Sequence, residues 1–200
     1  MNPKDMKYRE LFSVSLELFA LFGYKKTTVQ DVADRLGMTK GNLYFYVKNK
    51  QDLYLKTITH ALDLWRDSVK QAVDRETDPV VKFRTMALKS VDYIENNAML
   101  RQILMNDPSI FTLSSSEDRF YEINQSAMTI IQEILNQGIE AKRFHPVDVE
   151  HVTQYFFSIY VMFLIKTYVK SDTSSSRTMF LEALELNIRG LLLTDGVTPA

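Results

Sequence analysis

Residues 27–46, TTVQDVADRLGMTKGNLYFY, constrain this chain more than any other stretch, because they read as two short helices joined by a tight turn. Thr27 or Thr28 can cap the first helix, since a threonine oxygen accepts from the free N–H groups of a first turn, and Gln30 or Asp31 stands three residues on as the capping-box partner. Val32, Ala33 and Leu36 give that helix its apolar face. Gly37 supplies the backbone freedom of the turn, Met38 follows as an apolar anchor, and Thr39 caps a second helix opening with Lys40, Gly41 and Asn42. The pattern is a helix-turn-helix whose second helix is placed to read DNA.

The second helix is poorly composed for a purely structural element. Gly41 in its first turn costs about 1 kcal/mol of helix propensity relative to alanine, and Tyr44 and Tyr46 put hydroxyl-tipped rings on a short polar segment. A missing side chain near a helix N-terminus lets another surface approach, and the exposed N–H groups there favour a phosphate. Lys40 and Lys50 add positive charge, and tyrosine hydroxyls reach phosphate oxygens. The plain alternative is a polar surface helix with a satisfied turn. Lys25 and Lys26, in the loop ahead of the motif, fit a backbone contact and a solvated loop equally well.

Phe19, Gly23-Tyr24, Thr27-Thr28, Val32-Ala33, Gly37-Met38-Thr39-Lys40-Gly41, Leu43-Tyr44 and Lys48-Asn49-Lys50-Gln51-Asp52-Leu53 together resemble the N-terminal signature of the tetracycline-repressor-like (TetR) family of bacterial regulators. The resemblance covers roughly the first 55 residues; the remainder follows the family's all-helical layout. Tyr46 stands where the family usually has histidine and Val47 where it usually has phenylalanine, while Ser13 and Ser15 replace small apolar residues. From helix position and from the resemblance, Lys40, Asn42 and Tyr44 are expected to read bases, with Thr28, Thr39, Tyr46 and Lys50 as phosphate clamps and Gly41 as the point of close approach. The resemblance also implies a dimer that places two recognition helices about one DNA turn, roughly 34 Å, apart on a palindromic operator in double-stranded DNA. Repression rather than activation is a family expectation.

Charge agrees once the chain is divided. The whole sequence carries a net −1, but residues 1–56 hold 10 Lys+Arg against 6 Asp+Glu, a net of +4, and the rest holds 14 against 19, a net of −5. The positive end is the end with the motif. With no cysteine there are no disulfides, thiolate metal sites or cysteine nucleophiles. His60, His145 and His151 are scattered, and there is no glycine-rich phosphate loop or nucleophile elbow, so neither enzyme chemistry, nor a metal, nor a cofactor is expected. The chain begins without a signal-like segment, and its longest apolar run, Tyr155 to Ile165, is broken by Ser158 and falls short of the ~20 residues a bilayer needs. A cytoplasmic protein without a membrane span is expected.

Ahead of the motif, Leu11, Val14, Ser15, Leu18, Phe19 and Phe22 recur at the spacing of one helix face, and Gly23 stops that helix. After it, Asn49 caps a long helix with Asp52 three residues on and a stripe of Leu55, Ile58, Leu62, Trp65, Val69 and Val73. In the resembling family this helix joins the reading head to the effector domain and its movement changes the spacing of the heads; Trp65 fits core packing or ligand contact. Asp78-Pro79 opens the next helix, Asn96-Asn97 breaks it, and a short helix runs from Met99 to Met105. Residues 107–118 are the expected mobile loop, followed by a helix from about Glu117 to Ala141. The expected architecture is all-α, about nine helices, with a three-helix DNA-binding domain over 1–48 and a helical effector-binding and dimerisation domain over 49–200.

The last two helices carry apolar residues around most of their circumference, from Val149 to Val169 and from Arg177 to Leu193. One chain of this size has difficulty covering both, which suggests a dimer interface built as a four-helix bundle; a monomeric core is the alternative. Phe83, Met86, Met105, Phe120, Ile123, Tyr155, Phe156 and Ile159 supply flexible or flat apolar surface that suits a small hydrophobic effector such as a fatty-acyl group or lipophilic drug, or else simply pack the core. The function expected is a ligand-responsive DNA-binding regulator, most simply a repressor released by that effector. The alternative is a DNA-binding helical protein acting through a protein partner with no small ligand.

Overall fold

The computed structural model describes residues 3–111, 118–169 and 176–193. Among them the regular elements are helices: α1 (Pro3–Lys26), α2 (Val29–Arg35), α3 (Lys40–Leu43), α4 (Lys50–Val73), α5 (Pro79–Glu95), α6 (Ala98–Asn106), α7 (Tyr121–Glu140), α8 (Val149–Leu164) and α9 (Ser176–Leu191). A 3₁₀ turn covers Pro108–Ile110, and a π-helical turn, Ile165–Val169, continues α8. The all-α architecture is therefore the one observed. Much of the loop expected to be mobile, residues 112–117, lies outside the described residues.

The chain packs as two compact units, one formed by residues 1–65 and 94–108, the other by 66–93 and 109–200. In the first unit α1 packs along α6 and against α2, and α2 packs against α3. Its core consists of Leu11, Phe12 and Phe19 with Leu43, Leu53 and Ile58, closed by Leu100, Ile103 and Leu104 of α6. The expected α1 stripe holds at Leu11, Ser15, Leu18 and Phe19 but not at Phe22, which is 56% exposed. The helical path is broken one residue later, where Gly23 takes φ 76°, so Phe22 stands in the last turn of the stripe before the kink. Ser15, where a small apolar residue was expected, is fully buried and satisfied by donating to the Leu11 carbonyl at 2.7 Å.

Helix starts follow local chemistry. Asn49 Oδ1 accepts from the Asp52 N–H at 2.9 Å ahead of α4, and Asp78 Oδ1 accepts from Val80 N–H at 2.8 Å at the start of α5. Asn97 does more than break α5: its side chain caps α6 by accepting from Leu100 N–H. The helix expected from Glu117 starts later, at Tyr121, because Asp118 turns the chain first, accepting from Phe120 N–H at 2.8 Å and from Asn124 Nδ2 at 2.9 Å.

In the second unit α7 packs on α8. The end of α7 is closed by the Gly138 carbonyl, which accepts from both Arg143 N–H and Phe144 N–H, with Lys142 in the left-handed region at φ 54°. The Phe144 ring occupies the space a side chain at 138 would need, so glycine is required there by close approach. The following segment pairs with the end of α9 through His145 N–H to the Leu191 carbonyl and Leu193 N–H to the Arg143 carbonyl, with one antiparallel bridge, Phe144 to Leu192. An Arg84–Glu185 fork, 2.9 and 3.0 Å, and an Arg177–Asp92 pair at 3.0 Å fasten α9 to α5.

Candidate nucleic-acid interface

Both threonine caps are in place. Thr28 Oγ1 accepts from Asp31 N–H at 3.1 Å while Asp31 Oδ2 accepts from Thr28 N–H at 2.7 Å, a complete capping box. These bonds hold the Asp31 carboxyl below its usual range, the backbone N–H of Thr28 first. Of the two threonines that could cap, Thr27 takes the other part: it is buried and donates to the Leu18 and Gly23 carbonyls, closing the chain after the Gly23 break. Gly37 has φ 63° and makes the turn. Thr39 Oγ1 then accepts from Asn42 N–H at 3.2 Å and starts α3.

The α-helix proper is shorter than the composition suggested, Lys40–Leu43, but the chain keeps winding through Val47, with Phe45 N–H to the Asn42 carbonyl and Val47 N–H to the Leu43 carbonyl at 3.3 Å each. Leu43 and Val47 anchor this segment inward, at 0% and 2% exposure. Val47, a departure from the usual family residue, is thus an apolar core contact of smaller size. Lys40, Gly41, Asn42 and Tyr44 are exposed and Tyr46 is half-buried, and Thr28 and Thr39 are exposed as well, which leaves these expected DNA contacts accessible from outside. A Cβ on Gly41 would meet only Thr39 Oγ1, at 3.8 Å, so nothing inside the chain demands glycine there.

Lys50 is more engaged than a free clamp. Its ammonium donates to the Lys25 carbonyl at 3.1 Å and stands 4.6 Å from the centroid of the Tyr24 ring. One of its three donors is used by Lys25, and the charge remains at the edge of the motif. Lys56 is a contributor that sequence reasoning missed: its ammonium reaches the Tyr46 carbonyl at 2.9 Å and Asp52 at 3.0 Å, tying the end of the reading segment to α4. Partial burial pushes the Asp52 carboxyl up, but the Lys48 N–H and Lys56 outweigh it and hold the carboxyl below its usual range. The Asp52/Lys56 spacing of four was the available signal.

The residues expected to meet an effector separate. Phe83, Phe120 and Ile123 are buried, Met86, Phe156 and Ile159 half-buried, and Tyr155 is exposed, all in the second unit. Phe83 and Phe156 meet edge to face at 4.8 Å, and Tyr155 lies 5.3 Å from Phe156. Met105 is exposed on α6, in the first unit. Trp65 is buried in the first unit. Among the described residues no group of three or more His, Cys, Asp and Glu could hold a metal ion, and no helix is long and apolar enough to cross a membrane.

A capped helix-turn-helix, presented outward on a positively charged N-terminal unit and followed by a helical body, defines a DNA-binding regulator. The pattern of bacterial regulatory proteins, tetR family, matches residues 11–57. The chain is 28% identical over 150 residues to the HTH-type transcriptional repressor KstR2 of Mycobacterium tuberculosis, covering 73% of this chain and 74% of that one. It is 21% identical to the fatty acid metabolism regulator protein of Bacillus subtilis, over 70% of this chain and 72% of that one. In fold it is similar to FadR from Bacillus subtilis in complex with stearoyl-CoA, with a TM-score of 0.75, 18% identity, and coverage of 92% of this chain and 99% of that one. The match to the tetR family of bacterial regulatory proteins spans residues 11–57, and together with the repressor relatives it makes this chain a DNA-binding transcriptional regulator.

Proposed function

We propose that this regulator is a homodimeric repressor that occupies a palindromic operator and leaves it when a small hydrophobic effector binds. Residues 1–48 act as the reading head and 49–200 as the effector and dimerisation part, and the protein works in the cytoplasm without a catalytic step. The observation that carries the DNA side is the exposure of Lys40, Gly41, Asn42 and Tyr44 directly after the second of two satisfied threonine caps. Thr28, Thr39, Tyr46 and Lys50 flank that surface and hold phosphates.

The dimer is supported by apolar side chains left uncovered on the last two helices: Tyr155 and Met162 on α8 are 51% and 58% exposed, and Leu186 on α9 is 68% exposed. A single exposed leucine needs no explanation, but several on two neighbouring helices fit a buried bundle. The effector reading is supported by the aromatic contact of Phe83 with Phe156 and by the relatives, of which one is a FadR in complex with stearoyl-CoA and another a fatty acid metabolism regulator protein. Phe83, Phe120, Ile123, Phe156 and Ile159 are the residues proposed to line its site.

Thermal unfolding of the full chain with acetyl-, octanoyl- and stearoyl-CoA tests the effector. Native-state binding raises the melting temperature by mass action, so a rise that grows with chain length, together with release of bound DNA, is expected. DNA must weaken the ligand by the factor by which the ligand weakens DNA. No rise with any of the three, in a chain that still binds DNA, favours the reading in which the helical body engages a protein partner instead.

A further inference from the structure

Phe45 is 86% exposed, the most exposed large apolar side chain among the described residues. An isolated phenylalanine in water at the tip of a reading segment does nothing for the fold, because its backbone holds the turn while its ring covers nothing. Its position around the helix axis is informative. Leu43 and Val47 face the core, and residues two positions from Leu43 lie about 200° around the axis at 3.6 residues per turn. Those residues are Gly41 and Phe45, which therefore face directly away from the core. Phe45 also follows Asn42 at the three-residue spacing of its 3.3 Å hydrogen bond, which brings the two side chains to the same side.

The outward face thus combines a bare backbone at Gly41, an amide at Asn42 and an aromatic ring at Phe45. The major groove presents one strongly apolar feature, the C5-methyl group of thymine, and apolar side chains are what contact it. We infer that Phe45 is a specificity-determining residue that packs its ring on a thymine methyl of the operator, with Gly41 letting the backbone approach closely enough for the ring to reach. Asn42 beside it reads the hydrogen-bonding edge of a neighbouring base. The ring gains by leaving water only where a methyl receives it, so its contribution depends on sequence.

The inference rests on the DNA-binding assignment, and the test keeps the two apart. The full-length protein is used to select duplexes from a randomised library, and each thymine of the selected site is then replaced singly by uracil, which deletes only the methyl. At one position per recognition helix the wild type is expected to lose about fourfold in affinity, the scale of burying one methyl. Phe45→Ala should lose at least as much on the thymine duplex and be indifferent to uracil there; Phe45→Leu should retain the sensitivity. Phe45 is exposed, so neither variant threatens the fold. A Phe45→Ala protein as sensitive to uracil as the wild type, or a wild type indifferent at every thymine, overturns the contact while leaving DNA binding intact. Failure to enrich any duplex overturns both.

Discussion

Tyr54 donates its hydroxyl hydrogen to Asp107 Oδ2 at 2.8 Å, joining α4 to the residue that ends α6. Around this bond the Tyr54 ring meets Phe19 and Tyr24 edge-on, each at 5.0 Å, and Tyr24 in turn lies under the Lys50 ammonium. The first compact unit thus contains a continuous path from the end of α6, through α4, to the loop that precedes the reading helices.

Tyr54→Phe keeps the rings and removes the bond. A hydrogen bond to a charged acceptor contributes about 1.5–3 kcal/mol, and partial exposure here puts the expected loss near the lower end. Urea unfolding measures it. A midpoint unchanged from wild type would mean that water replaces the tyrosine without loss.

Gly138→Ala should destabilise the second unit by about 1–3 kcal/mol, since the new methyl overlaps the Phe144 ring and the ring must leave its place. Lys142→Gly should act oppositely, gaining about 0.5–1 kcal/mol by relieving the left-handed φ of 54°. Thermal melts of the two variants, moving in opposite directions, check the account of this corner; parallel shifts would contradict it.

Removing either cap should cost about 1 kcal/mol, and serine in place of threonine should restore most of it. The functional consequences differ. Thr39→Ala loosens the start of α3 and should weaken binding to all duplexes alike, whereas Asn42→Ala should reduce the preference for operator over scrambled DNA. Competition binding with the two duplexes separates them; an Asn42→Ala protein that loses affinity evenly is missing only a backbone contact.

Acid should destabilise the first unit in two stages. Burial holds the His60 imidazole below its usual 6.5, Asp63 opposing and Arg9 adding to the effect, with the Phe12 ring 5.6 Å away. A depressed histidine binds fewer protons folded than unfolded, so its contribution is complete above about pH 6.5 and declines as pH falls below it. Asp52, held below 3.8, keeps its contribution above that value and loses it as pH falls further. Stability measured from pH 7 to pH 3 should therefore fall first in the histidine window, and His60→Gln should flatten that part of the curve; Asp52→Asn should flatten the more acidic part.

The parts legible in sequence were those determined by neighbours along the chain. Thr28 with Asp31, Thr39 with Asn42, and Asn49 with Asp52 are bonds across three residues, so the motif and the helix starts can be read from spacing. What depends on distant packing was not. Phe22 fits the α1 periodicity and is nevertheless exposed, in the last turn before the kink at Gly23, because periodicity names a face and not how far along it a neighbour packs. Phe45 is not distinguished in the sequence, since an aromatic in a short helix fits the core until Leu43 and Val47 are seen to fill that role. The i,i+4 spacing points Lys56 to Asp52 but not to the Tyr46 carbonyl ten residues back, and no periodicity brings Tyr54 to the Asp107 carboxylate.

The reading head is tested by binding of the purified protein to DNA from immediately upstream of its own gene, at two salt concentrations and against a scrambled duplex. Preference for the upstream duplex is expected, with affinity falling steeply as salt rises because lysines at the head displace counterions from phosphates. Equal binding to both duplexes at both salt concentrations would contradict a reading head at residues 27–50 that recognises this operator.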